Sequence, residues 1–267
     1  MKALAQLYLQ QFKTTFATMV QYRASLFIWM IGHVLEPLVY LVVWTVVSEG
    51  GGGSAGDYTT AQFAGYFIML MLVENVSYTW IMYEYEYRVR EGGLSFVLLR
   101  PVHPIHADIA DNVSSKLITL PIMIFSAFVL SLLFQPVFRI TLWAAVLFVP
   151  ALLSAFLLRF LLEWTLALVA FWTTRVGAVN QTYFVLILFL SGQIAPLSLF
   201  PAPIQVAADI LPFRWMIGFP VELILGRLSI VDAATGLLAQ LVWILLAGLL
   251  LRTVWRAGVR VYSAVGG

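Results

Sequence analysis

Six apolar stretches, at about 25–47, 61–83, 117–134, 142–172, 183–195 and 234–251, constrain this chain more than any other feature of its sequence. Most approach twenty residues, the length at which a helix rising 1.5 Å per residue crosses roughly 30 Å of hydrocarbon. Hydrophobic residues make up 62% of the 267 positions and charged residues 10%, against roughly 45–50% and about 25% in soluble domains. A water-soluble fold cannot hide that much apolar surface, so the bilayer is the solvent. The expected fold class is an all-α polytopic membrane protein: six transmembrane helices, an amphipathic N-terminal interfacial helix, and a re-entrant helical hairpin before the last span.

The segments between the spans carry the organisation of what reads as a single transmembrane domain over 1–267. In 1–24, Leu4, Tyr8, Phe12, Phe16 and Val20 recur every four residues, while Lys2, Gln6, Gln10, Lys13 and Gln21 take much of the other side. That pattern suits a helix in the headgroup plane, with the start of a long first span as the alternative. The polar residues also interrupt any apolar core of a secretory signal. Residues 48–60, with a glycine run at 50–53, read as a flexible polar loop. The fourth apolar stretch exceeds the hydrocarbon thickness and must tilt or project. Pro196, Pro201, Pro203, Pro212 and Pro220 rule out one straight helix after the fifth, because each interior proline removes a backbone bond. Two short helices, at 204–211 and 213–225, are expected within a re-entrant extracytoplasmic segment at 196–229, tolerated where protein or a water-filled cavity covers it.

Lysine and arginine set the orientation. With both termini cytoplasmic, that side holds Lys2, Lys13, Arg23, Arg88, Arg90, Arg100, Arg175, Arg252, Arg256 and Arg260; the other holds Arg139, Arg214 and Arg227. The bias of about three to one supports an even number of spans. A net charge of +2 gives no reason to expect nucleic acid as a partner.

Chemistry-bearing motifs are few. The glycine run lacks the Lys-Ser or Lys-Thr of a phosphate-binding loop, so ATP is not expected on this chain. His103 and His106 lack a third ligand at helical spacing. Cysteine is absent, which removes thiolate sites. Neither a hydrolase elbow nor a metalloprotease motif occurs, so no catalytic, cofactor or metal residue is assigned. Ionisable groups inside the spans carry more information, since each costs about 2.5–3.5 kcal/mol at mid-bilayer and must face protein or water. They are His33, Glu36, Glu74, Arg159 and Glu163. Arg159 and Glu163 share a helix face at four-residue spacing. An ion-pair clasp that fixes packing and a polar lining of a pathway are both open readings.

The segment 84–112 is the longest charged stretch. In its centre Gly92, Gly93 and Pro101 bracket a short helix of one or two turns, with Leu94, Phe96, Val97, Leu98 and Leu99 beside Arg88, Arg90, Glu91 and Arg100. Such a knob below the membrane suits a partner's groove; a solvated loop that only supplies positive charge is the other reading.

The run Arg90-Glu91-Gly92-Gly93-Leu94, a few apolar residues, then Leu98-Leu99-Arg100-Pro101-Val102, resembles the loop between the second and third spans of type-2 ATP-binding cassette export permeases. Ser191-Gly192-Gln193-Ile194-Ala195-Pro196-Leu197, Phe200-Pro201, Ile210-Leu211-Pro212-Phe213 and Pro220 are similar to the segment between that family's last two spans. The resemblance covers essentially the whole chain and places it with the compact six-span permeases. It implies a bacterial inner-membrane subunit paired with a second permease as homodimer or heterodimer. Separate ATPase subunits beneath would carry ATP and magnesium. It further implies that Arg88, Arg90, Glu91, Gly92, Gly93, Leu94, Phe96, Leu99, Arg100 and Pro101 form the ATPase-coupling interface. Pro196, Phe200, Pro201, Pro212, Phe213 and Pro220 would then shape an external gate. An ion-gradient-driven transporter or channel using the intramembrane charges is the alternative, disfavoured because only the C-terminal half is proline-interrupted.

Overall fold

A computed structural model of the chain describes residues 2–173 and 176–262, apart from the side chains of Lys2, Ala3 and Arg90; Arg175 and the last five residues of the tail lie outside the described residues. Among the described residues, four helices are long and apolar enough to span a membrane: α2 (Arg23–Gly50), α6 (Ile105–Phe134), α7 (Leu142–Ala167, prolonged by a 3-10 turn at Leu168–Phe171) and α12 (Ile230–Val261). Large apolar side chains such as Ile28, Phe125, Leu142 and Leu245 point outward along them, as lipid-facing surface should.

The centre of the bundle is α3 (Thr60–Ser77). Phe63, Tyr66, Phe67, Leu70 and Val73 on it are buried in the main core with Leu158 and Trp164 of α7 and Val221. A capping box starts α3: Gln62 N–H donates to the Thr59 hydroxyl, and Thr59 N–H donates to Gln62 Oε1 at 2.9 Å, satisfying two donors that a helix start leaves free. Before it, the expected flexible loop is an antiparallel hairpin, β1 (Ser54–Ala55) and β2 (Tyr58–Thr59).

Several expected boundaries move. The second apolar stretch is not continuous: α3 stops at Ser77, and a new helix, α4 (Ile81–Arg90), begins after Tyr78-Thr79-Trp80. The segment 84–112 is largely helical, comprising the end of α4, α5 (Gly93–Leu98) and the first turns of α6. The short helix expected between Gly92 and Pro101 is α5, entered through Gly92 in a left-handed conformation at φ 73°. The fifth apolar segment is α8 (Gly177–Leu190), earlier at both ends than expected. Three short helices follow instead of two: α9 (Ala202–Ile210), α10 (Phe213–Met216) and α11 (Gly218–Ile224). The last helix starts four residues early on a Ser229/Asp232 capping box and continues through the basic residues Arg252, Arg256 and Arg260. At 32 residues it is about 48 Å long and projects past the hydrocarbon.

The N-terminal helix α1 (Lys2–Gln21) lies along α6. Its contact with α6 includes polar side chains. Gln11 Nε2 and Thr15 Oγ1 donate to Asp111 Oδ1 at 3.2 and 2.6 Å, while Leu4, Phe16 and Val20 remain exposed.

Candidate functional site

At mid-bundle a break in α3–α4 meets α7. Arg159, 1% exposed, donates from Nε to Glu163 Oε1 at 2.7 Å and from Nη1 to Glu74 Oε2 at 2.6 Å. The Nη1 group also reaches Ser77 Oγ at 3.3 Å, and Tyr183 donates to Glu163 Oε1 at 3.4 Å. Thr79 donates its hydroxyl to the other oxygen of Glu163. From α6, Lys116 Nζ donates to the Tyr78 carbonyl at 2.7 Å, capturing one of the carbonyls freed where α3 ends. Two basic side chains therefore meet two carboxylates here: Arg159, Lys116 and Glu163 each have a hydroxyl or backbone partner as well, and Glu74 is held by Arg159, the kind of pairing under which buried charge is tolerated.

Glu36 and His33 stand apart from that cluster. Glu36 accepts from Gln193 Nε2 at 3.1 Å, and His33 packs against the rings of Trp29 and Tyr78 at 4.1 and 5.2 Å. A crevice of about 140 Å³ separates them from the cluster, with His33, Glu36, Glu74 and Arg159 all on its wall. Glu36 pairs with neither Arg159 nor Lys116. The structure thus brings the five intramembrane residues to one place and divides them: Glu74, Arg159 and Glu163 are bonded together, and His33 and Glu36 stand outside that cluster on the wall of the crevice that Glu74 and Arg159 also line.

Towards the α5 end, Arg88 turns inward. It donates to Asp108 Oδ1 at 2.7 Å and to Glu84 Oε1 at 2.6 Å, and Trp164 Nε1 donates to Asp108 Oδ2 at 2.9 Å. Asp108 links α4, α6 and α7. On α5 Leu94 is buried, whereas Phe96 and, just after the helix, Leu99 are 74% and 83% exposed. Arg100 and Pro101 are exposed at its exit, Glu91, Gly92 and Gly93 form its start, and Arg90 has no described side chain. Ser95 Oγ hydrogen-bonds Tyr262 OH at 2.9 Å, and His103 stacks near Trp164 and Trp255 at 5.7 and 4.6 Å. The foot of α12 and α5 are therefore joined.

At the opposite end the proline-rich residues split similarly. Pro196, Pro212, Phe213 and Pro220 are buried, Phe200 is half-buried and Pro201 is exposed. Tyr66 donates to the Gly192 carbonyl at 2.8 Å and Trp44 to that of Ile194 at 2.8 Å, which fixes the turn after α8 on α3 and α2. Asp57 of the hairpin binds Arg227 and accepts from Ser198 at 2.9 Å. Gln240 donates to the carbonyls of Ala151 and Trp215 at 2.9 and 2.8 Å.

Sequence reasoning missed Ser77, Thr79, Lys116, Tyr183 and Gln193 as partners of the intramembrane charges, and Asp108 and Asp111 as anchors. The two aspartates stand at 3-residue spacing before an apolar run, a pattern that reads equally as the first turns of a helix. Among the described residues, no group of three or more His, Asp or Glu is placed to hold a metal ion.

An apolar-surfaced helical bundle with a satisfied charge cluster at its centre defines a multi-pass membrane protein. The model of the ABC-2 family transporter protein matches residues 34–266, and the chain belongs to that family. It is accordingly an ABC transporter permease. A search of curated proteins finds no match.

Proposed function

We propose that this chain is the transmembrane permease subunit of an ATP-binding cassette exporter in a bacterial cytoplasmic membrane, driven by ATP hydrolysis on separate subunits. Two permease chains, alike or different, would enclose the route. ATP and magnesium would reside on the ATPase partners. The reading rests above all on α5: a helix of two turns whose Leu94 is sunk into the core while Phe96 and Leu99 project, at the end of the bundle where basic residues gather. A rigid knob with an apolar tip fits a groove on a moving partner. Displacement of α5 has short routes inward through Ser95–Tyr262 to α12 and through α4 and Arg88–Asp108 to α6 and α7.

Six spans complete the proposal, with both termini cytoplasmic. Beside the four long helices, α3 covers about 27 Å and α8 about 21 Å, and α8 is carried further by 191–196. The helices α9 to α11 form the re-entrant extracytoplasmic segment, α1 lies in the interface, and residues 84–112 face the ATPases. The polar crevice by Glu36 is the best candidate for part of the route. The experiment is purification of the tagged chain from its native membrane in mild detergent. A co-purifying ATP-binding subunit whose hydrolysis responds to substitutions at Phe96 and Leu99 supports the reading; transport by the isolated chain in liposomes under an ion gradient overturns it.

A further inference from the structure

A second cavity, of about 550 Å³, opens at the elbow where α1 turns into α2, between α4 and α6. Its volume lies in the range of small-molecule sites, about 300–1,000 Å³. The residues that give it chemical character are Tyr22, Trp29, Trp80, Glu84, Asp111 and Asn112. No lysine or arginine lines it among the described residues; Arg23 and Lys116, sequence neighbours of lining residues, are not on its wall, and Lys116 is bonded inward to Tyr78.

Both carboxylates present an uncommitted oxygen. Asp111 takes both of its hydrogen bonds, from Gln11 and Thr15, on Oδ1. Glu84 meets Arg88 through Oε1, and that guanidinium is shared with the buried Asp108. Neither Asp111 Oδ2 nor Glu84 Oε2 has a partner among the described residues. The indoles of Trp29 and Trp80 both lie near the Tyr78 ring, at 6.3 and 6.4 Å, and Trp80 stacks on Tyr83 at 4.6 Å. Trp80 is 53% exposed. Indole faces and carboxylates attract the same ligand charge, since the ring quadrupole is negative at its face.

From this geometry we infer that the cavity binds a lipophilic cation, an apolar body carrying an organic ammonium or phosphonium centre, at the membrane level of the α5 end. A phosphate would find no cationic partner on these walls, which disfavours a phospholipid headgroup. Inward from the cavity, Trp29 touches His33, and His33 with Tyr78 borders the crevice holding Glu36 and Glu74. The Trp29–His33 contact thus lies between the wall of the cavity and that of the crevice. As a statement about substrate class, this rests on the permease reading.

Equilibrium dialysis of the purified full-length chain in maltoside detergent tests it, with tetraphenylphosphonium as ligand and tetraphenylborate as the anion of matching shape. The expected result is saturable binding of the phosphonium, weakened about tenfold in Trp80→Leu and in Asp111→Asn. Thr182→Leu, in the separate groove between α7 and α8, should leave it unchanged. Trp80→Leu alters a half-exposed side chain, so it remains informative if Asp111→Asn does not fold. Equal binding of the borate, or wild-type affinity in a folded Trp80→Leu protein, overturns the proposal, as does displacement by phosphatidylethanolamine at equal concentration. The assay needs no ATPase: lost phosphonium binding with a retained ATPase partner defeats this inference alone, and the reverse pattern defeats only the permease reading.

Discussion

Arg159 and Glu163 stand one turn apart on α7 and bond at 2.7 Å, yet neither is satisfied by the other alone. The second arm of the guanidinium crosses to Glu74 on α3, and Glu163 takes further hydroxyls from Thr79 and Tyr183. A pair on one helix specifies nothing about how helices pack; the bond to Glu74 does, because it fixes α3 against α7.

Arg159→Met therefore leaves two buried carboxylates facing each other without a guanidinium. Breaking a buried pair from one side costs about 3–5 kcal/mol, whereas replacing the whole set with neutral groups of similar size is often close to neutral. The single variant should lose its monodisperse peak in detergent or melt much earlier. The triple variant Arg159→Met, Glu74→Gln, Glu163→Gln should recover most of the loss. If the single and triple variants melt alike, the cluster does not hold the bundle together. Glu36→Gln, on the facing wall of the crevice, should melt like wild type and alter transport.

Gly192 adopts φ +90°, and a Cβ there would come within 2.5 Å of the Tyr66 hydroxyl that its own carbonyl holds. Only glycine takes that backbone conformation freely. Gly192→Ala should destabilise by about 1–3 kcal/mol through strain and the lost hydrogen bond. Gly236→Ala should do likewise, since its Cβ would meet the Phe219 ring at 2.0 Å. Gly32→Ala and Gly248→Ala, with nothing within 4 Å, should be harmless in a thermal-shift assay.

Part of this arrangement was legible from the chain alone. Gly92, Gly93 and Pro101 announce α5 because backbone conformation is a local matter. The break at Tyr78-Thr79-Trp80 carries no glycine or proline; it is stabilised by Lys116 on the Tyr78 carbonyl and by Glu163 on Thr79, groups 38 and 84 positions away. Asp108 and Asp111 looked like loop residues because their partners Arg88, Trp164, Gln11 and Thr15 sit on other helices. Charge at mid-membrane marked the candidate site residues one by one; which of them pair, and which face a gap, depends on helix packing that no local pattern records.

His103 offers a pH test outside the spans. Burial, and secondarily the neighbouring His106, push its pKa below the usual 6.5, and Nδ1 accepts the Ile105 N–H at 3.3 Å, which requires that nitrogen unprotonated. The folded form then holds its proton less tightly than the unfolded chain, so its contribution to stability is present above pH 6.5 and falls as pH drops through and below that value. The melting temperature of wild type should decline in that window more than that of His103→Gln. Equal declines would show that His103 is not a contributor.

Arg88 and Phe96 separate a structural from a coupling role within residues assigned together from sequence. Arg88 is committed to Asp108 and Glu84, so Arg88→Glu should place three carboxylates together and lower thermal stability, with any transport defect following from that. Phe96 and Leu99 touch little of their own chain. Phe96→Ser and Leu99→Ser should leave stability within about 0.5 kcal/mol of wild type, as exposed substitutions do. Together they should abolish retention of the ATP-binding subunit on an affinity column. Leu94→Ser, at 0% exposure, should destabilise the chain by opening the base of α5. A folded Phe96→Ser, Leu99→Ser protein that still retains and stimulates its ATPase would move the coupling contact away from α5, leaving the exposed stripe of Leu4, Phe16 and Val20 on α1 as the next surface to substitute.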